Sequence, residues 1–179
     1  MDTDGDGIPG AAEKALGTNP NSSDTDGDGI DDKQDPAPSF AQKPQASVGP
    51  NTFQVTGAIV ENNVGADGKD TADHLEIMLK SSSTSATSDF IAYYTVRDAA
   101  ANRTEAYIVF LTGFVLLPGQ SQSIHIDLVS ASNHFGANPN GLFYTSTEAL
   151  QISVFVDAAG FAEQTATVAK DAGGAEGPE

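Results

Sequence analysis

The larger, C-terminal part of the chain alternates apolar and polar residues with a period of two. The pattern is clear in residues 53–59, 75–80, 124–128 and 150–157. Successive side chains of a strand point to opposite faces of its sheet, so this alternation predicts half-buried β-strands. Residues 165–170, which follow a glycine-containing turn, form a further short segment of this kind.

Two neighbouring segments, residues 90–98 and 105–117, are apolar on both faces. This pattern predicts central strands, and the short stretch between them predicts a hairpin. Almost no helical periodicity is present, and seven or eight short strands are best buried as two sheets packed face to face. The sequence therefore predicts a mainly β protein in which residues 51–171 form an antiparallel β-sandwich.

The first 35 residues contain two copies of an acidic loop, DTDGDGIPGAAE and DTDGDGIDDKQD. Each copy has acids at positions 1, 3, 5 and 12, a glycine at 6 and a backbone carbonyl at 7, as the EF-hand calcium loop does. In the first copy the candidate ligands are Asp2, Asp4, Asp6, the Ile8 carbonyl and Glu13. In the second copy they are Asp24, Asp26, Asp28, the Ile30 carbonyl, Asp32 at position 9, and Asp35.

Carboxylates spaced this closely repel one another by roughly 1 kcal/mol per pair even in water, so the loops need a cation to close. We expect positive φ angles at Gly7 and Gly29, where the chain must turn sharply around the ion. A cage this rich in carboxylates favours Ca²⁺ over its rival Mg²⁺, which keeps its waters. A solvated acidic turn would not explain two matching copies. The two ligand sets predict at least two calcium ions.

The loops and the residues between them resemble the thrombospondin type-3 repeat family, as it occurs in bacterial and archaeal surface proteins. The resemblance covers residues 2–38, with a short predicted helix at 11–16 and a GTNP turn at 17–20. It implies that the acids named above bind calcium, which alone must hold the segment because the chain has no cysteine. The stretch LLPGQSQSIHIDL resembles a motif of prokaryotic immunoglobulin-like domains, which implies an Ig-like sandwich.

The net charge of the chain is −17. Such a surface repels phosphate groups, which argues against nucleic acid or an anionic membrane as a partner. No apolar run approaches the roughly 18 residues of a membrane span. Weak calcium loops fill only where calcium is about millimolar, so we expect a location outside the cell or at its surface. Met1 directly precedes a candidate ligand, so we interpret the chain as part of a longer exported protein with an added start.

Candidate catalytic groups are few, and we expect no enzymatic activity. His125 and Asp127 lie two residues apart on one predicted strand and could form a dyad, although an outward polar face is the favoured interpretation. His74, at the head of a strand, is expected to be exposed. His134 lies in a long loop with three aromatic residues, which we interpret as plugs beneath the loop: Phe135, Phe143 and Tyr144.

One further acidic stretch offers a third cation site, for which a solvated turn is the favoured alternative; its acids are Asp67, Asp70 and Asp73. The chain as a whole divides into a calcium-binding segment at 1–35, a linker at 36–50, the sandwich at 51–171 and a flexible tail at 172–179.

The favoured hypothesis is a non-catalytic structural or adhesion module of an exported protein, in which calcium rigidifies the repeat. Candidate partners besides calcium are other surface proteins, polysaccharide or copies of the chain itself. The alternative is an accessory carbohydrate-binding domain of a secreted enzyme, in which loop aromatics stack on sugar rings.

Overall fold

The computed structural model describes residues 1–61 and 73–173. Its elements, in chain order, are α1 (Gly10–Leu16), β1 (Phe53–Glu61), β2 (His74–Ser81), β3 (Phe90–Asp98), β4 (Arg103–Phe110), β5 (Ser121–Asp127), β6 (His134–Gly136), α2 (Leu142–Thr145), β7 (Leu150–Ala158) and β8 (Gln164–Lys170). The predicted helix at 11–16, the hairpin between β3 and β4 and the number of strands are confirmed.

The strands form two four-stranded sheets, with the orders β1-β2-β5-β6 and β4-β3-β7-β8. Every neighbouring pair is antiparallel as predicted, except that β5 and β6 run parallel. Residues 128–133 carry the chain back alongside β5 before it enters the sheet again as β6. This return places the residues of β6 directly beside those of β5.

The two sheets pack face to face over one apolar core. Phe53 of β1 and Phe90 of β3 meet edge to face across it, with ring centroids 5.1 Å apart. Alternate residues of both sheets enter the same buried cluster, as Ile77 and Ile152 do. The β-sandwich predicted from the period of two is confirmed, and its immunoglobulin-like form stays a prediction. Within residues 1–61 and 73–173, no helix has both the length and the apolarity needed to span a membrane.

Strand β4 differs from its prediction in length and position. It ends at Phe110 and lies at the edge of its sheet, whereas the sequence predicts a central strand that continues to residue 117. The apolar run continues because Leu111, Phe114 and Leu116 turn inward and are almost completely buried at the end of the core. A turn replaces the strand here, with Gly113 at a φ of +83°.

The outer edge of β4 is covered by backbone groups of the N-terminal segment. The Ile108 N–H donates to the Asp26 carbonyl oxygen at 2.7 Å. The Ala106 N–H donates to Ser39 O, and Ala41 N–H donates to Ala106 O, both at 3.0 Å. An edge strand normally exposes these backbone groups to other chains, and here residues of the first 41 positions satisfy them.

A second contact holds the turn after α1 against the loop before α2. Asn138 donates from Nδ2 to the Gly17 carbonyl at 2.7 Å, and Asn140 donates from Nδ2 to the Thr18 carbonyl at 2.7 Å. The predicted linker also touches the sandwich, since Lys43 forms a 2.7 Å ion pair with Glu163. The N-terminal segment is therefore docked along the sandwich rather than extended away from it.

Candidate metal centre

The two acidic loops have the same backbone hydrogen bonds. In the first loop, Asp2 accepts from the N–H groups of Gly5 at 2.8 Å and Gly7 at 3.1 Å. In the second loop, Asp24 accepts from the corresponding groups, on Gly27 and Gly29, at 2.8 Å each. Both loops therefore wrap around the carboxylate at position 1.

Positions 3 and 5 follow the same rule in both loops. Asp6 Oδ1 accepts from the Ile8 N–H at 2.6 Å, and Asp28 Oδ1 accepts from the Ile30 N–H at 2.9 Å. The Oδ1 atom of each position-3 residue, Asp4 or Asp26, accepts from the N–H two residues on. At positions 3 and 5, each carboxylate thus accepts from the backbone with one oxygen and leaves the other available to bind a cation.

The predicted positive φ angles are confirmed, at +92° for Gly7 and +95° for Gly29. A residue with a Cβ atom pays roughly 1–2 kcal/mol in this conformation, so glycine is the residue that suits the turn. The glycines at these positions therefore suit the same loop geometry in both copies.

Among the residues that the structure describes, carboxylate oxygens converge in three groups of three, with the atoms of each group within 4.8 Å of one another. The groups are Asp2–Asp4–Asp6, Asp24–Asp26–Asp28 and Asp6–Glu13–Asp32. Glu13 has no exposed surface, and neither of its side-chain oxygens has a hydrogen-bond partner in the described structure. Buried Oδ2 atoms without a partner also occur on Asp4, Asp6 and Asp26. Unpaired buried carboxylates are costly, and a hard divalent cation would satisfy them.

Asp32 joins the two loops instead of serving the second alone. The sequence places it at position 9 of the second loop, whereas its carboxylate lies with Asp6 and Glu13 of the first. Thr25 holds it there, because its N–H and its hydroxyl donate to the two Asp32 oxygens at 2.7 and 2.6 Å. Counting positions within one loop could not reveal this contact, which depends on how the loops pack together.

Asp35 lies outside these three groups among the described residues. Its Oδ1 atom accepts from the Ala37 N–H at 2.7 Å. Its predicted ligand role at position 12, and those of the Ile8 and Ile30 carbonyls, stay predictions.

The electrostatics of the loops favour the entry of a cation. Burial raises the pKa of Glu13, and the neighbouring Asp4 and Asp6 raise it further. Burial likewise raises the pKa of Asp26 to about 7 and raises that of Asp32. Each shift shows that the charged form is penalised in a chain without an ion.

The first loop, α1 and the turn after it have the sequence of a known repeat. Residues 2–23 match the family model of the bacterial TSP3 repeat. This confirms the resemblance predicted from the motif. Bacterial TSP3 repeats bind calcium and typically occur in extracellular proteins. The match ends before the second loop, whose hydrogen bonds nevertheless repeat those of the first.

Other comparisons give little further information. No curated protein sequence matches the chain. Among solved structures, a chain from a β-glucosidase involved in saponin metabolism from intestinal bacteria is similar, with a TM-score of 0.36 and 14% sequence identity. The match covers 66% of this chain and only 16% of that one, and a likeness at this level carries no inference about activity.

The remaining candidate residues do not belong to the acidic loops. Asp73 is buried in an ion pair with Lys170 at 2.8 Å, so it does not belong to a solvated turn; Asp67 and Asp70 lie outside the described residues. The interpretation of the loop aromatics as plugs is confirmed: Phe143 belongs to the buried core, and Phe135 and Tyr144 pack against it.

The structure pairs the candidate dyad residues, His125 and Asp127, with other partners. Asp127 accepts a 2.7 Å hydrogen bond from Nδ1 of His134 rather than pairing with His125. His74 is buried and not exposed, because its ring packs against His125 with centroids 5.1 Å apart. This cluster could not be predicted from the sequence, because the three residues of β6 are too few to show a period of two.

Proposed function

We propose that the chain is a non-catalytic, calcium-binding structural module of an extracellular or cell-surface protein. Calcium orders the acidic loops and keeps the N-terminal segment docked on the sandwich. The observation that carries this proposal is Glu13, a fully buried carboxylate with two unpartnered oxygens facing the acids of both loops.

The docking follows from the position of the second loop. Its Asp26 supplies a candidate ligand through the side chain and, through its backbone carbonyl, the hydrogen bond to Ile108 of β4. An ion that holds the Asp26 side chain therefore also holds the backbone that covers the β4 edge. Asp32 extends the same constraint to the first loop.

Calcium titration calorimetry on the full chain tests the proposal. We expect at least two ions per chain, and the loss of one in Asp28→Asn. Asp31→Asn is the matched control, because this exposed residue of the same loop lies outside the carboxylate groups. Fewer than two ions in the wild-type chain, or equal losses in both variants, would contradict the proposal.

A second candidate function, binding of a saccharide, is favoured by one observation. An open cleft of about 600 Å³ lies between the second loop, β4 and residues 127–139, and is lined by polar groups such as Asn21 and Asn138. The loop aromatics cannot supply the stacking, because they pack against the core. A glycan array with the wild-type chain and with Asn21→Ala, a change at an exposed residue of the cleft, tests this candidate. The absence of any bound glycan on the array would exclude it.

A further inference from the structure

All three histidines of the chain meet on the sheet that contains β2, β5 and β6. His125 lies in the middle, with its ring 5.1 Å from that of His74 and 4.6 Å from that of His134. The rings of His125 and His134 are stacked, with only 12° between their planes. The convergence of every imidazole in the chain is not required by the calcium loops or by the core.

A carboxylate completes a ligand set on two strands. Glu76 lies directly opposite His125 in the β2–β5 register, and His74 precedes it by two residues on the same strand face. One ligand atom from each of these residues lies within 4.8 Å of the others. Directly opposed residues on neighbouring strands have Cβ atoms about 4.5–5.5 Å apart, which suits joint binding of one ion.

The central imidazole has a nitrogen that lacks a partner. Nδ1 of His125 is enclosed and accepts or donates no hydrogen bond within the described part of the chain. A buried polar atom without a partner is costly, and a metal ion is one group that would satisfy it.

On its other side, His125 packs against the ring of His134, which a hydrogen bond to Asp127 holds in place. Asp127 accepts from Nδ1 of His134 at 2.7 Å, and its second oxygen accepts from the Val129 N–H at 2.9 Å. A carboxylate that orients a histidine is a common support around metal sites. Here the oriented ring stacks on His125 and restricts how that ring can turn.

We propose that His74, Glu76 and His125 form a binding site for one divalent transition-metal ion of the zinc class, with His134 as a positioning residue. Two imidazoles and one carboxylate are ligands that suit zinc, and a water molecule would complete four-coordination. Calcium prefers oxygen ligands only, so the site is chemically distinct from the acidic loops.

The test uses the full chain with its loops saturated by Ca²⁺, so that added Zn²⁺ meets only the remaining sites. We expect calorimetry to give one Zn²⁺ per chain, and Co²⁺ to give visible absorption bands of a four-coordinate ion. Glu76→Gln should weaken Zn²⁺ binding more than tenfold, because loss of even an outer-shell partner costs about 10–100-fold. His125→Ala should abolish it.

Two controls separate ligands from neighbours. Ser123→Ala lies two residues from His125 on the same strand and should leave Zn²⁺ binding unchanged. His134→Phe keeps a ring that can stack on His125 but loses the hydrogen bond to Asp127, so it should weaken Zn²⁺ binding less than Glu76→Gln does. In NMR spectra of the three imidazoles, added Zn²⁺ should change the nitrogen chemical shifts of His74 and His125, and both should change over the same range of Zn²⁺ concentration.

Three results would overturn the proposal: no saturable Zn²⁺ binding in the presence of Ca²⁺, binding unchanged in Glu76→Gln, or NMR shifts confined to His134. Thermal unfolding without zinc shows whether each variant folds. If His125→Ala does not fold, the result for Glu76→Gln decides whether the proposal holds.

Discussion

The contact between the second acidic loop and β4 can be tested with one methyl group. Gly27 has a φ of +78°, and a Cβ atom placed on it would overlap the Ile108 carbonyl oxygen and lie 3.1 Å from its carbon. Gly5 occupies the equivalent position of the first loop, with a φ of +85° and no atom within 4 Å of such a Cβ. Gly27→Ala and Gly5→Ala are therefore a matched pair that differs in one contact.

A side chain at positive φ lowers the stability of both variants by roughly 1–2 kcal/mol. Only Gly27→Ala must also separate the loop from β4, because two backbones cannot yield as a flexible side chain does. It then loses the 2.7 Å hydrogen bond between the Ile108 N–H and Asp26 O, which is worth about 0.5–1.5 kcal/mol. We expect Gly27→Ala to cost about 1 kcal/mol more than Gly5→Ala.

Amide hydrogen exchange measured by NMR in calcium buffer reports this contact directly. The Ile108 amide should exchange at least about fivefold faster in Gly27→Ala than in Gly5→Ala, since 1 kcal/mol is a factor of about five in an opening equilibrium. Equal exchange at Ile108 in the two variants would refute the view that the loop covers the strand edge.

Three further predictions concern the loops and Glu105, a buried residue of β4 that accepts hydrogen bonds from the Tyr107 hydroxyl and the Leu142 N–H. Glu13→Gln should lower the thermal stability of the chain in Ca²⁺ but raise it in a chelator, because it removes both a ligand and a repelling charge; a change of the same sign in both buffers would contradict this. A chelator should also expose residues 1–38 to limited proteolysis, read by mass spectrometry, since each site filled at about a hundred times its Kd adds roughly 2.7 kcal/mol; continued protection would speak against calcium as the ordering agent. Burial raises the pKa of Glu105 above that of the unfolded chain, so wild-type stability should fall as pH rises through the interval between the two values, whereas Glu105→Gln should lack this decline. Urea unfolding of both proteins in calcium buffer from about pH 4 to pH 7 measures the difference, and parallel profiles would show the reasoning to be wrong.

The acidic loops were predictable because their determinants are local. The bonds from Asp2 and Asp24 to glycine amides span at most five residues, and the spacing of the acids encodes them directly. The place of Asp32 was not predictable, because it depends on Thr25 and on the packing of one loop against the other. Counting positions along one loop therefore predicts the backbone conformation of that loop, but not which residues of the other loop lie next to it.

The strands show the same limit. Period-two alternation predicted β1, β2, β5 and β7, since one face of each is buried in the core. The continuous apolar runs predicted β3 and β4 but misplaced the end of β4, because Leu111, Phe114 and Leu116 are apolar to close the end of the sandwich. Strand β6 was missed, because the three residues of His134–Gly136 are too few to show a period.

Coverage of β4 connects the calcium loops with the behaviour of the sandwich. An uncovered edge strand presents unpaired N–H and C=O groups, which other strands can bind. If calcium orders the loops as proposed, the amides of Ala106 and Ile108 are closed off only when the ion is present. On the same proposal, repulsion among the loop carboxylates would open this edge where calcium is scarce, and millimolar calcium would close it. On this reasoning the repeat is a calcium-dependent cover for one strand as well as a rigid segment before the sandwich, and the exchange rate of the Ile108 amide with and without calcium distinguishes the two roles.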